Sequence, residues 1–470
     1  MTKRKRRKRS AFTKYLFTSI FLVSFIVLFL IYFIDILPRN YFIILFGLFM
    51  TINIIFSCML FSRNNIVSAF GKLISALYMI LMIIVAIYEL NTIDFLKKIG
   101  DSEYLTLNYN VMVLKDSDYK AIEDINNLKI GIVNTYNEEA LTKLNKKVSL
   151  SYYKSNSYNQ LVDKLFSGSL KVILLEDSAI DILKEENPDF ENKINIIYKF
   201  SIDVKQKSIK DKVNITKEPF NIYISGIDTY GSVNSVSRSD VNIIMTVNPK
   251  DGKIILTWIP RDYYVKLYEI DEYDKLTHAG IYGVETSVKT IEELLGIDIN
   301  YYIKLNFTSL TKTVDTFGGV NVDSKYAFTS QDGYKFNRGE NLLDGKRALS
   351  FVRERKNLPN GDKSRGENQL SVLGAIIEKA SSKAIITKYN NFLKTLKQSF
   401  VTNLSNNEIT DFIKMQIDKN IKWKIENITL DGTDGYEYTY SYSKHKLYVM
   451  IPDDELVKNA TKIINDNFIE

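Results

Sequence analysis

The sequence predicts an α/β protein carried behind a set of membrane-spanning helices, on three observations. Three long apolar runs occupy the first ninety residues. From Tyr104 onwards, strand-like and helix-like segments alternate. From Phe220, β-prone apolar segments repeatedly end in charged residues. Segments of this kind in alternation imply sheets covered by helices.

The apolar runs come first. Tyr15 to Ile34 has no charge and is about long enough to cross a bilayer. Tyr41 to Phe61 is a second run, and Leu73 to Tyr88 a shorter third, closed by Glu89. The third spans if it extends towards Leu90 and Lys72 snorkels. Residues 1–14 hold eight basic side chains and no acid, so the net charge of +7 leaves −1 on everything after them. A nucleic-acid binder carries its positive charge on the folded body, so that class is excluded. The basic tail, with Arg63 and Lys72, belongs on the cytoplasmic side by the positive-inside rule, which sends the third helix outwards. Everything after about residue 95 is then expected outside the cell. A cleaved signal peptide fits poorly, because the first run is long and no small-residue cleavage site follows it. The lone cysteine, Cys58, falls in the second span, so the exported body has no disulfide and no thiolate metal site. His278 and His445 are far apart and do not suggest a histidine metal site.

The expected organisation is a basic tail (1–14), three spans (15–90), an accessory α/β domain (101–215) and a larger α/β domain (216–470). In the accessory region YLTLNYNVMVL, KIGIV, VSLSYYK and KVILLED read as strands. DYKAIEDINNL, NEEALTKLNKK, YNQLVDKLFSG and SAIDILKEENP read as helices, giving a largely parallel sheet. The string from KIGIV to SAIDIL loosely resembles one lobe of a periplasmic-binding-protein-like domain. It carries no catalytic constellation, and an accessory or spacer role is expected. Lys205 to Lys217 reads as a linker.

In the larger domain, FNIYISGID is a strand ending at Asp228, where open α/β sheets place ligands. VNIIMTVNP and KIILTWIP are the next two strands, joined by a Lys-Asp-Gly turn. They deliver Asp228, Arg238, Asp240 and Arg261, followed by Asp262, to one region. Two carboxylates suit Mg²⁺, which takes its remaining ligands from water and phosphate; a turn residue and an N-cap would give the same pair. The stretch FVRERKNLPNGDKSRGENQ then offers Arg353 and Arg355 on one face if it is extended. After the Leu358–Gly361 turn, Asp362, Arg365 and Gln369 open a helix whose apolar positions are Leu370, Leu373 and Ile377. Arginine recognises phosphate in a bidentate manner, and a helix N-terminus adds oriented N–H groups. A solvated charged hairpin would carry the same residues.

Taken together, SGIDTYG, SRSD, IIMTVNP, WIPRDYYV, KLTHAGIYG, TIEELLGIDINYYIKLNF, VDTFGGVNVD, NRGENLLDGKRALSFVRERKN and GDKSRGENQ stand in the order that resembles the LytR–CpsA–Psr family of cell-wall glycopolymer ligases, in its CpsA-like branch. The resemblance covers about 220–465. It implies a central mixed sheet flanked by helices with an apolar bed for a polyprenyl chain. It also implies a membrane-bound phosphotransferase moving a glycopolymer, capsular or teichoic-acid-like, from an undecaprenyl-pyrophosphate carrier to peptidoglycan, with Mg²⁺. Asp228 and Asp240 match metal-binding positions. Arg238, Arg261, Arg353, Arg355, Arg365 and Gln369 match pyrophosphate contacts, and Asp362 a candidate base beside them, with Arg261 and Arg353 as catalytic charges. Trp258 stands where the family has serine, and Asn368 where it has a further arginine.

The chemistry asks for charge neutralisation rather than a nucleophilic residue, in keeping with two histidines and one cysteine. Ile291, Leu294, Leu295, Leu305, Phe307, Leu373 and Ile376 are candidates for the lipid bed, and an ordinary core explains them equally well. His278 is expected to be structural. Hydrolysis of the same lipid pyrophosphates and a regulatory, attenuator-type role are the competing readings. Other capsule or wall-synthesis proteins are compatible partners.

Overall fold

The computed structural model describes residues 11–35, 37–99, 104–134, 136–186, 189–205, 213–227, 233, 237–382 and 400–469. The basic tail's residues 1–10, most of the expected linker and Asp228 lie outside these. The chain forms two compact units: 1–100 with 386–397 and 405–422, and the remainder.

In the first unit, helices α1 (Ala11–Ile34), α2 (Arg39–Leu60) and α3 (Asn65–Ile99) are each long and apolar enough to cross a membrane. The third is longer than its apolar run suggested, because Lys72 and Glu89 do not interrupt helical hydrogen bonding. Helix-to-helix packing uses Leu16, Ile20, Phe56 and Leu60, and further along Val27, Phe49 and Met82. Most other apolar side chains face outwards, as lipid-facing residues do. A later helix of this unit (Asn406–Lys419) ties itself to the α1–α2 connection through Lys414 Nζ on Asp35 Oδ1 at 2.6 Å.

The second unit contains two larger sheets. The first has strands β1 (Tyr104–Leu114), β2 (Lys129–Val133), β3 (Ser151–Ser155), β4 (Val172–Glu176) and β5 (Ile194–Lys205), in the order β3-β2-β4-β1-β5. Helices α4 (Glu138–Asn145), α5 (Tyr158–Phe166), α6 (Asp177–Glu186) and α7 (Phe190–Lys193) connect them. β2 runs parallel to β3 and β4, but β1 is antiparallel to both β4 and β5. The sheet is therefore mixed rather than largely parallel, since β1 and β5 form one long antiparallel ribbon. DYKAIEDINNL yields only a 3-10 turn at Ile122–Ile125, where Asp124 caps Lys120 and Ala121 N–H groups instead of propagating a helix.

The second sheet is built from β6 (Phe220–Ile227), β7 (Ser239–Asn248) and β8 (Lys253–Ile259). Two short strands, β9 (Tyr264–Lys266) and β10 (Tyr273–Lys275), and helices α8 (Leu276–Ala279) and α9 (Val284–Leu295) follow. Next come β11 (Tyr301–Asn306) and α10 (Phe307–Thr316), then the small strands β12 (Val320–Ser324), β13 (Phe328–Thr329), β14 (Lys335–Phe336) and β15 (Gly339–Leu343). α11 (Gly345–Arg353), α12 (Asp362–Ser381), β16 (Phe400–Thr402), β17 (Lys424–Thr429), the hairpin β18 (Gly432–Thr439) and β19 (Tyr442–Pro452), and a C-terminal helix (Asp454–Asp466) complete it. Its order is β16-β11-β6-β7-β8-β17. β6 to β8 are antiparallel, while β11 and β17 join in parallel.

One face buries Tyr223, Ile244 and Tyr302 against α8, α9 and the C-terminal helix. The other face carries Trp258 and meets α12. α12 also closes a second core, in which Phe336 meets Phe351 edge to face and Phe328 lies tilted against both. Register puts the start of β7 beside the ends of β6, β8 and β11 (Gly226 opposite Val241, Asn242 opposite Ile259, Asn306 opposite Ile227). Asp240, Arg261 and Asp262 therefore gather at one sheet edge.

Candidate active site

Asp240 sits on β7, one residue after it begins, and Arg261 lies two residues beyond β8. The antiparallel register makes them neighbours, and Arg261 Nη1 donates to Asp240 Oδ1 at 2.6 Å. Thr277 Oγ1 donates to the same oxygen at 3.2 Å from α8. On the other side of Arg261, Nε faces Asp262 Oδ2 at 3.5 Å, and Asp262 Oδ1 takes Lys275 Nζ at 3.0 Å. α12 brings Arg365, ion-paired to Asp362 one turn earlier. All of these side chains are largely buried.

The charges act on one another. Burial opposes the charge on Arg261, yet Asp240, Asp262 and Asp362 hold its guanidinium above the ordinary range. Burial also works against ionised Asp262, and Arg261 and Lys275 overcome it, leaving that carboxyl below the usual range. Asp362 goes the other way: burial, helped by Asp262, outweighs Arg365, Arg261 and Arg355 and raises it. Burial lowers Arg365, with Asp362 opposing and Arg261 and Arg355 adding to the effect. The structure thus brings together Arg261, Arg355, Arg365, Asp240 and Asp362, plus Asp262, Lys275 and Thr277, which had no role assigned from sequence. The signal for two of these was local: Asp262 completes the strand-end pair, and Thr277 precedes the turn histidine.

Other expected site residues stand differently. Arg353 and Arg355 are not on a strand. Asp344 caps α11, whose buried side is Ala348, Phe351 and Val352, so Arg353 is its last residue and Arg355 lies in the loop beyond. The Arg353 guanidinium lies over the Phe307 ring, 4.5 Å from its centroid. Phe307 follows β11, three strands from β8, which carries Arg261 just beyond its end. Gln369 is turned inwards: its Oε1 accepts from Trp258 Nε1 at 2.9 Å and its Nε2 reaches Val352 O at 3.4 Å. Asn368 is buried on Phe351 O at 3.1 Å. Arg238 precedes β7, and its backbone packs against Gly280, where an added Cβ would lie 2.7 Å from Ser237 O and 2.8 Å from Ser239 N. Asp228 lies outside the described residues.

Tight packing explains these positions. Gly366 faces the Trp258 ring so closely that an added Cβ would fall 2.3 Å from it. Trp258, in place of a small residue, therefore sets how near α12, and with it Arg365, approaches the sheet. Lys363 Nζ on Asp431 Oδ2 at 2.5 Å pins the first turn of the same helix. His278 is structural in geometry: fully buried, its Nδ1 meets Asp274 Oδ1 at 2.6 Å, and Asp274 Oδ2 accepts from Ser441 N at 2.8 Å. Burial would raise Asp274, but His278 and Ser441 hold it below the ordinary range. Its contribution to stability is then present above the ordinary carboxylate range and lost as pH falls through its lowered value. His278→Ala should cost about 3–5 kcal/mol by stranding that carboxylate, seen as a lower thermal midpoint at pH 7, with a smaller deficit in strong acid.

The residues expected to bed a lipid chain do not line one cleft. Ile291, Leu294 and Leu295 belong to the core on the first sheet face. Leu305 lies on the opposite face by strand alternation, and Ile376 packs into the core beside α12. Apolar periodicity shows that a side chain is buried, not which face of a sheet buries it.

The oxygen donors fit a hard divalent cation in a limited way. Asp240 and the Thr277 hydroxyl stand together, and no three acid, histidine or cysteine side chains are arranged to hold a metal ion among the described residues. One carboxylate and one hydroxyl leave most of the coordination of such an ion to water and substrate phosphate, as Mg²⁺ accepts.

A model of the LytR_cpsA_psr family matches residues 190–458. The polyisoprenyl-teichoic acid–peptidoglycan teichoic acid transferase TagU of Bacillus subtilis is 37% identical over 212 residues, 45% of this chain and 68% of its own. The protein of the same name from Enterococcus faecalis is 36% identical over 244 residues, 51% of this chain and 79% of its own. The crystal structure of B. subtilis TagU aligns with 54% of this chain and 98% of its own at 32% identity, with a TM-score of 0.43. The matched span covers more than half of the sequence and takes in every charged group of the sheet edge, and the chain belongs to the LytR–CpsA–Psr family.

Proposed function

We propose that the protein is a membrane-anchored phosphotransferase that moves a glycopolymer, capsular or teichoic-acid-like, from a polyprenyl-pyrophosphate carrier to peptidoglycan. The observation that carries this reading is the meeting of Arg261, Arg355 and Arg365 with Asp240, Asp262 and Asp362 at one sheet edge. Three guanidinium groups suit a diphosphate, whose oxygens gain charge as the bond between its phosphorus atoms' bridging oxygen and the transferred phosphorus breaks. Relatives named as teichoic acid transferases support the substrate class.

The chain's own groups divide the work. Arg261 and Arg365 hold the phosphoryl oxygens, and Arg353 extends the positive edge towards β11. Asp362 takes the proton of the acceptor hydroxyl as its oxygen bonds to phosphorus. The polyprenyl monophosphate departs. Asp240, with Asp228, would hold Mg²⁺, which supplies further charge neutralisation on the phosphate oxygens. Burial raises Asp362, which makes it a stronger base once ionised. The transfer rate should therefore rise with pH through a limb lying above the ordinary carboxylate range. In Asp362→Asn the limb should vanish along with most of the rate, as read from kcat/KM profiles.

The reading places residues beyond α3 outside the cell and makes the anchor multi-pass. The ion pair between Lys414 and Asp35 supports this, since it puts the α1–α2 connection on the same side as a helix from the late part of the chain. Sharing the bilayer with a lipid-bound donor raises the effective concentration of both. The test is incubation of the full chain with lipid-linked polymer, with and without peptidoglycan. Polymer bound to glycan only when peptidoglycan is present is the expected result, whereas free polymer phosphate in both arms would mean hydrolysis.

A further inference from the structure

Beside the charged edge stands a surface to which the catalytic groups give no role. β9 and β10 form one hairpin, β18 and β19 another, and they are locked together. Tyr440 N donates to Tyr273 O at 2.9 Å, and Tyr264 Oη donates to Tyr438 O at 2.9 Å. Their outward side chains are tyrosines: Tyr436 is 64% exposed, Tyr438 55% and Tyr273 50%, with Tyr440 and Tyr448 also open. Tyr264 stacks on Tyr273 at 5.0 Å and Tyr436 meets Tyr448 edge-on at 6.1 Å across the hairpin. Lys446 lies over the Tyr438 ring and Lys275 over Tyr448. The rings are thus held in fixed orientation, at little further cost in side-chain entropy on binding.

This surface runs into the site. Lys275 is the partner of Asp262, Met450 N donates to Asp262 O at 2.8 Å, and Asp262 and Asp362 act on the Tyr448 phenol. We propose that the tyrosine-faced hairpin pair is the docking surface for the acceptor, a β-1,4-linked amino-sugar strand whose C–H faces stack on Tyr273, Tyr436 and Tyr438. This rests on the phosphotransferase reading and adds where its acceptor lies.

Charge selects the occupant. Glu272 and Glu437 act on the Tyr264 phenol and Asp434 accepts from Tyr448 Oη at 2.7 Å, beside the pairs Lys266–Asp271 and Lys446–Glu437. Such acids repel an anionic polymer or an anionic lipid surface, whereas pyranose faces need only apolar area and edge hydroxyl partners, which tyrosine provides.

The experiment is hydroxyl-radical footprinting of the full chain in phosphatidylglycerol nanodiscs, with and without chitohexaose, alongside acceptor kinetics. The sugar is expected to protect Tyr273, Tyr436 and Tyr438. The Tyr436→Ala, Tyr438→Ala chain should bind chitohexaose roughly tenfold more weakly and show a raised acceptor KM at unchanged kcat. Tyr436→Trp should retain binding, and equal thermal midpoints would exclude misfolding. Unaltered sugar binding by the double variant, or protection of these tyrosines by the nanodisc lipid alone, overturns the proposal. Sugar-dependent protection without any polymer transfer would instead refute the phosphotransferase reading and keep the surface. Transfer with unprotected tyrosines would do the reverse.

Discussion

Arg261→Ala is expected to lower single-turnover transfer by about 10³-fold, the scale on which removing a fixed charge-stabilising donor acts. The same change strands Asp240, whose Oδ1 keeps only the Thr277 hydroxyl, and leaves Asp262 with Lys275 alone. A stability loss of about 3 kcal/mol should accompany it, because one half of a buried ion pair is left behind. Arg261→Lys separates the two effects. A lysine keeps the charge but cannot span Asp240 and Asp262 with one planar fork, so its thermal midpoint should recover further than its rate. Wild-type transfer by Arg261→Ala would remove this guanidinium from the chemistry.

Gly366→Ala is expected to be strongly damaging to the larger domain. Its Cβ has no room against the rigid indole of Trp258, itself fully buried and hydrogen-bonded to Gln369. Either α12 backs away or the ring leaves its site, at a cost of about 2–3 kcal/mol by overpacking. Because α12 carries Arg365 and Asp362, transfer should fall beyond what the unfolded fraction accounts for. Adding Trp258→Ser vacates the ring's space, so the double variant should be more stable than Gly366→Ala. Chemical denaturation of the four chains measures the coupling, and additive losses would show that the two residues do not press on each other.

Much of the architecture was legible in the sequence because it rests on local signals. Uncharged runs of span length gave the three long helices, and apolar strands ending in charge gave β6 to β8. The edge cluster was legible for the same reason: strand ends in an antiparallel meander come back to one side, so Asp240 and Arg261 had to meet. What escaped depends on distance in sequence. Arg353 and Arg355 suggested a strand because alternation and the last turn of a helix look alike over three residues, and only the burial of Phe351 and Val352 tells them apart. Nor could composition divide Ile291, which is buried, from Leu305, which is half-buried on the opposite face. Gln369 has the chemistry of a phosphate ligand, but Trp258 occupies its amide, and that contact joins residues 111 positions apart.

That span has a consequence for the nascent protein. Strands β6 to β8 are complete long before Gly366 and Arg365 emerge, and it is α12 that closes the charged edge against Trp258. The half-made polypeptide therefore holds an open charged edge, and the domain becomes whole in one late step, when the indole finds its glycine.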